Sequence, residues 1–190
     1  LMVPQGVKQI DIRFQFPESR RITSNLMGVT WDHVALYRAG VPTKAQMFQP
    51  SLVIPADWGY ASALETVAHD GGRISFRPVP FNTLVDSPVI AGKYFRQIDL
   101  TPANSLVHRY LDLVGDDAAA IEISPAQIAQ YRQLVLQAQA LFHSHHYNDY
   151  HFLLTLSDRV AHFGLEHHQS NDSRVPENSL TQQNSIGVVS

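Results

Sequence analysis

Histidine is concentrated in one part of the sequence, where seven of the ten histidines lie between His143 and His168. Neutral imidazole is a common ligand of zinc, copper and nickel, so this segment could bind a metal ion. The spacing matches no standard zinc motif, because H-E-x-x-H is absent and the inverted H-x-x-E-H would need histidine where Phe163 stands. The pattern therefore favours histidines at a hinge and at strand ends, and no metal ligand is predicted among them. A histidine metal site is the alternative.

The composition excludes several classes of function. The 190-residue chain has no cysteine, which excludes disulfides, thiolate zinc sites and cysteine nucleophiles. Its net charge of -3 provides no basic field, so we expect neither a nucleic-acid partner nor binding to an anionic membrane. The sequence has no apolar run of the roughly 20 residues that a membrane helix needs, and no Walker loop or G-x-S-x-G motif. The oligomeric state is left open, as is the choice between a cytoplasmic and an exported protein.

The first hundred residues have the periodicity of β-strands. Ile10, Ile12, Phe14 and Phe16 alternate with polar residues, which is typical of a half-buried strand. A turn at Gly71-Gly72 separates two further extended segments. We predict strands over 10–16, 29–38, 73–79, 94–100 and 105–114, two short extended pieces over 45–55 split by a proline, and helical turns over 62–68 and 82–85.

The pattern changes after residue 115. Ser124-Pro125-Ala126-Gln127 is a helix-start signature, and the helix of about five turns that follows has one apolar stripe. Tyr150–Leu156 is nearly all apolar, as in a strand covered on both faces, and Phe163–His168 follows after a polar turn. The last twenty residues indicate loop, with a final strand over 186–189. The stripe consists of Ile128, Tyr131, Val135, Ala138 and Phe142.

The elements together predict an α+β protein of two lobes. An antiparallel, β-sandwich-like lobe covers residues 1–102, and a strand, helix, strand, strand arrangement covers residues 103–190. Asp116 and Asp117 are predicted to be solvated loop charges. One acidic residue differs from the others, because Glu166 follows a buried strand and a turn. It is predicted to be a carboxylate on an edge strand that faces a cleft.

Four segments, in order along the chain, carry a further pattern. They are Leu52–Trp58, Phe81–Val89, His145–Leu154 and Phe163–Ser170. In that order they resemble the L-P-x-G-W, Y-D-x-L-V-D-x-P-V, P-Y-x-x-Y-x-F-L and G-G-L-E-H-x-x-S segments of the glycyl aminopeptidase family. Members of this family are gluzincin zinc metallopeptidases that often carry a PDZ domain. The resemblance extends from about Phe14 to Ser170.

The resemblance implies a fold and a substrate-binding site. The first lobe would be the N-terminal β domain of the family, and the second would be the beginning of a thermolysin-like α/β catalytic domain. Glu166 would bind the free α-ammonium group of a peptide substrate, as the corresponding Glu does in related aminopeptidases. Gly164, Leu165 and His167 would bind the substrate beside it, with the backbone around Gly164 pairing with an extended peptide.

The sequence also departs from the family pattern in two places. Phe163 stands where the family usually has glycine. In the family, an H-E-x-x-H zinc motif and a later Glu ligand come after this segment, and the 190 residues contain neither. We therefore expect an N-terminal part of a zinc aminopeptidase that prefers small first residues such as glycine. By itself this part would bind no zinc and would be inactive. The alternative is a non-catalytic peptide-binding or scaffold protein with the same fold.

Overall fold

The computed structural model describes residues 2–3, 5–17, 20–103 and 105–181, and within these residues the chain is mostly β-sheet. The helices are α1 (Phe81–Val85) and α2 (Pro125–Phe142), with 3-10 turns at Trp31–His33 and Thr43–Ala45. The strands in chain order are β1 (Leu26–Val29), β2 (Met47–Phe48), β3 (Ser51–Val53), β4 (Gly59–Ser62), β5 (Thr66–Asp70), β6 (Arg73–Phe76), β7 (Val79–Pro80), β8 (Val89–Gly92), β9 (Tyr94–Asp99), β10 (His108–Gly115), β11 (Asp149–Leu156), β12 (Phe163–Glu166) and β13 (Ser170–Val175).

Residues 26–92 form three small antiparallel sheets, with strand orders β1-β8-β4, β3-β6-β5 and β2-β7. The hairpin between β5 and β6 turns through Gly71 and Gly72, whose positive φ angles of 53° and 87° favour glycine. Ile74 and Phe76 are fully buried in one core cluster, where Trp31 packs against Phe76 edge to face. The predicted Gly-Gly turn, the face of β6, the two short extended pieces and the helical turn at α1 are therefore confirmed.

The remaining strands form one five-stranded sheet with the order β12-β13-β11-β10-β9. Strands β10, β11 and β13 are parallel, and the two outer strands are antiparallel to their neighbours. The chain passes from β10 to β11 through α2, which supplies the long crossover that parallel strands require. The sheet begins at Tyr94, so β9 lies inside the predicted first lobe, and the division at residue 102 stays a prediction. The β-sandwich-like and thermolysin-like descriptions also stay predictions.

Both faces of this sheet are covered. On one face, Leu111, Leu113, Leu154 and Leu156 pack with α2 in a single core cluster. On the opposite face, residues of β10 and β11 join residues of the first lobe in another cluster, which comprises Leu26, Ala61, Ile90, Val114, Leu153 and Val160. The prediction that β11 is a strand covered on both faces is confirmed.

The long helix begins as the sequence predicts. The Ser124 hydroxyl accepts a hydrogen bond from the Gln127 amide, and the Gln127 side chain accepts one from the Ser124 amide, which completes a capping box. Tyr131 and Val135 are buried on the predicted stripe. The stripe is wrong in its last turn, where Phe142 is 69% exposed. Periodicity assigns a residue to a helix face, but it does not indicate how far the neighbouring sheet extends beneath that face.

Two predicted strands of the first lobe are wrong. Ile10, Ile12, Phe14 and Phe16 belong to no strand and are 44–50% exposed. Alternation shows that a segment could form a strand, but a strand also needs a hydrogen-bonding partner, and no described residue pairs with this segment. The strand predicted over 29–38 ends at Val29, because Trp31 lies in a 3-10 turn and donates its Nε1 proton to the Ser87 carbonyl.

Two further predictions are wrong because tertiary pairing overrides the local sequence. The helical turn predicted over 62–68 is instead the end of β4 and the beginning of β5. The last twenty residues were expected to be loop, but β13 is a buried parallel strand inside the sheet. Its two charged side chains compensate each other, since Arg174 forms a buried ion pair of 2.8 Å with Asp172. The final strand predicted over 186–189 lies outside the described residues.

The prediction for Asp116 is also wrong, because this residue is buried and not solvated. Its carboxylate accepts hydrogen bonds from the hydroxyls of Thr23 and Ser157, and its carbonyl accepts one from the Asn25 side chain. Asp116 therefore connects the segment that precedes β1 with the residue that follows β11. Asp117, its neighbour, is exposed and accepts a hydrogen bond from the Ala120 amide.

No helix in the described part of the chain has both the length and the apolar character that crossing a bilayer requires.

We predict that Asp116→Ala lowers the free energy of unfolding by about 2–4 kcal/mol, because it leaves the buried Ser157 hydroxyl and the half-buried Thr23 hydroxyl without their acceptor. Urea denaturation measures this change. Asp117→Ala is the matched control, and its loss should be about 1 kcal/mol because it removes the half-buried hydrogen bond that an exposed carboxylate accepts from the Ala120 amide. Equal losses for the two variants would contradict the central role of Asp116.

Candidate functional site

A cleft of about 830 Å³ lies between α1 and the turn that joins β12 to β13. Residues 165–169 line one side, and α1 lines the other together with Thr43 and Lys44. The predicted site residues Leu165, Glu166 and His167 therefore do lie along one cleft. The opposite wall comes from the first lobe, which sequence reasoning did not include in the site.

Strand β12 forms one edge of the five-stranded sheet. It pairs with β13 on one side, and no described strand pairs with its outer side. All four of its residues are exposed, and a Cβ atom built on Gly164 would meet no atom within 4 Å. An unpaired strand edge offers backbone N–H and C=O groups to another extended chain. The unpaired edge of β12 thus leaves room for a peptide backbone to pair with it.

Phe163, the departure from the family pattern, packs on β13. Its ring lies over the Arg174 guanidinium, with the centroid 4.4 Å from the guanidinium carbon. The two residues are register partners on neighbouring strands. The aromatic ring thus helps to cover the buried Asp172–Arg174 ion pair.

Glu166 is the last residue of β12 and is exposed at the cleft. An exposed carboxylate at the end of an open strand can accept hydrogen bonds from a cationic group. Tyr150 is a neighbour that the sequence did not indicate. Burial, with smaller contributions from Tyr147 and Glu166, raises the pKa of Tyr150 to about 12, so its phenol stays protonated at neutral pH.

The residues after Glu166 are attached to the first lobe through Asp86. The His167 ring donates from Nδ1 to Asp86 Oδ1 over 3.0 Å, and the His168 amide donates to Asp86 Oδ2 over 2.9 Å. The His167 side chain is only 7% exposed. Its ring therefore packs against the first lobe, and its predicted role as a substrate contact stays a prediction.

Two other histidines, His151 and His146, also have hydrogen-bond partners in the protein. His151 is bound to Asp112, with 2.7 Å between Nδ1 and Oδ2, and the Asp112 side chain is completely buried. His146 Nε2 lies 2.9 Å from the His168 carbonyl. Among the described residues, no group of three or more His, Asp or Glu side chains could hold a metal ion. The described residues therefore do not fit a zinc site.

A second cleft of about 640 Å³ adjoins the first, and Thr83 and Gln169 line both. His151 lines this second cleft. Gln97 donates to the other oxygen of Asp112 over 2.7 Å, so this carboxylate has partners on both oxygens. The hydrogen bond with Asp112 thus holds the imidazole of His151 in a fixed position near the beginning of β11.

Residues 5–93 match the family model described as the Peptidase M61 N-terminal domain. The matched segment ends one residue before β9, where the five-stranded sheet begins. A comparison of the sequence with curated proteins finds no match.

Two solved structures are similar to this chain at low sequence identity. An aminopeptidase N family protein from Idiomarina loihiensis is 15% identical with a TM-score of 0.66, over 84% of this chain and 26% of that one. An M1 zinc metallopeptidase from Deinococcus radiodurans is 16% identical with a TM-score of 0.49, over 87% of this chain and 38% of that one. The chain thus spans about a quarter to two fifths of the length of these proteins. Residues 5–93 thus resemble the N-terminal domain of a peptidase family, and the Idiomarina loihiensis protein shows a similar fold.

Proposed function

We propose that this chain is the N-terminal part of a zinc-dependent aminopeptidase, in which Glu166 binds the free amine of a peptide substrate. The observation that carries the proposal is the position of Glu166, an exposed carboxylate at the end of an unpaired edge strand and beside a cleft. The match of residues 5–93 to a peptidase N-terminal domain supports the same class of function.

A peptide substrate would extend along the open side of β12. Its backbone would pair with the strand near Gly164, where no side chain obstructs the approach. Its α-ammonium group would then meet the Glu166 carboxylate, which forms a charge-assisted hydrogen bond. A blocked N-terminus has no charge to offer at this position, so the site selects the ends of peptides.

Zinc belongs to the complete enzyme in this proposal. The described residues hold no group that fits the ion, so the chemistry proposed for this chain is substrate binding alone. The resemblance implies that an H-E-x-x-H motif follows this segment and that small first residues such as glycine are preferred. We propose accordingly that the 190 residues by themselves are inactive.

The test of the proposal is Glu166→Gln in the full-length protein. Glutamine keeps the size of the side chain but removes its charge, which removes about 1.5–3 kcal/mol of binding to the ammonium group. We expect the KM for a glycyl anilide with a free amine to rise about 10- to 150-fold. The N-acetylated anilide is the comparison, and its KM should not change.

Three other outcomes would count against parts of the proposal. Equal changes for the free and the blocked substrate would contradict the role of Glu166. Peptide binding without hydrolysis by the full-length protein would favour the scaffold alternative. Hydrolysis by the 190-residue chain alone would contradict its proposed inactivity.

Gly164→Val separates the binding role of the strand from its stability. The position is exposed, has no neighbour within 4 Å of a built Cβ atom, and does not have a positive φ angle. The free energy of unfolding should therefore change by no more than about 0.5 kcal/mol. The KM for peptides should still rise, because the valine side chain projects from the face of β12 and crowds the side chains of a peptide paired at its edge. Unchanged KM values would show that peptides do not pair with β12 near Gly164.

A further inference from the structure

Asp86 connects two parts of the chain that are 81 residues apart in sequence. It follows α1 as the C-cap residue, within the segment that forms the first lobe. One of its carboxylate oxygens accepts a hydrogen bond from the His167 ring, and the other accepts one from the His168 backbone amide. A single side chain thus binds two consecutive residues of the turn that follows Glu166.

The turn is fixed from its other side as well. Glu166 pairs with Asn171 in the register of β12 and β13. Immediately afterwards, the His167 amide donates to the Ser170 carbonyl over 2.8 Å, which closes the turn. Glu166 therefore lies between a strand ladder and a pair of residues that Asp86 holds, and these contacts fix the backbone from which its side chain extends.

The His167 ring depends on Asp86 for its orientation. Its Nε2 atom is buried and has no hydrogen-bond partner among the described residues. A proton on that nitrogen would be buried without an acceptor, so the tautomer with the proton on Nδ1 is favoured. Asp86 is then the partner that keeps the ring in place, and without it the buried imidazole has no described polar contact.

We propose that Asp86 is a positioning residue, which holds the His167–His168 turn so that Glu166 faces the substrate amine. This inference rests on the proposed function of Glu166. Asp86 lines the cleft with its side chain 39% exposed, but each of its oxygens accepts a hydrogen bond from the turn, and these two contacts assign it to positioning. The first lobe thereby sets the geometry of a site on the other sheet.

The first experiment is Asp86→Asn in the full-length protein, assayed with the free-amine and N-acetylated glycyl anilides. The amide cannot accept two hydrogen bonds in the same way, and a displaced Glu166 should raise the KM for the free-amine substrate about 10- to 100-fold. The blocked substrate should be unaffected. Asp149→Asn is the matched control, since it removes the same charge from an exposed residue of the second cleft.

The double variant with Glu166→Gln distinguishes positioning from direct binding. If Asp86 acts through Glu166, adding Asp86→Asn to Glu166→Gln should cause no further rise in KM. If Asp86 bound the amine itself, the two effects would multiply, and that result would overturn the positioning role.

Substitutions of His167 test the hydrogen bond against the volume of the ring. His167→Asn keeps a donor at the place of Nδ1 and loses most of the ring, whereas His167→Phe keeps the ring and loses the donor. We expect His167→Asn to retain most of the preference for free amines and His167→Phe to lose it. The reverse order would overturn the proposal.

Hydrogen exchange supplies a readout that does not depend on catalysis. In Asp86→Asn, exchange at the His168 amide should become at least about tenfold faster, because its acceptor is lost. If Glu166→Gln keeps the preference for free amines, the proposed function fails, and this inference fails with it. If Glu166→Gln loses the preference but Asp86→Asn keeps it, only the positioning role is overturned.

Discussion

The structure depends on the burial of one five-stranded sheet on both of its faces. Three of its strands are parallel, and parallel strands are stable when each face is covered. Helix α2 covers one face and the first lobe covers the other, so the two lobes share one cluster of apolar side chains. Once both faces are occupied, an extended chain can join this sheet at an edge, and β12 is one of its two edge strands. The position of the candidate site follows from this arrangement.

Local chemistry made part of the fold predictable. The capping box at Ser124 and the Gly71-Gly72 turn each satisfy their own backbone groups, so short sequence patterns were sufficient to identify them. Strand β13 was not predictable in this way. Its Asp172 and Arg174 are typical of loops, and their burial is compensated by contacts with each other and with Phe163 that only the folded sheet creates. The segment that contains Ile10 and Phe16 is the opposite case. Its sequence is typical of a strand, but it pairs with no described strand.

Part of the candidate site could likewise be predicted from the sequence, and part of it could not. Glu166, Gly164 and Leu165 belong to one short segment, so the sequence could bring them together on a strand beside a turn. Asp86 belongs to a distant segment, and no local pattern connects it to His167. The Phe81–Val89 segment, which contains Asp86, was part of the resemblance to aminopeptidases, but the resemblance gave this residue no role. Its contact with the turn required the packing of the two lobes.

At this turn, one residue is exposed to the substrate and the next residue makes the backbone rigid. A carboxylate that meets a substrate must be open to solvent, and Glu166 is exposed, with no described hydrogen bond to hold its side chain. A mobile carboxylate would lose orientation, and a small displacement from the productive geometry is costly. The next residue supplies the missing order, because the His167 side chain is almost completely buried and is bound by Asp86. Rigidity is thus supplied from beneath the turn, and the surface above it stays free for a peptide.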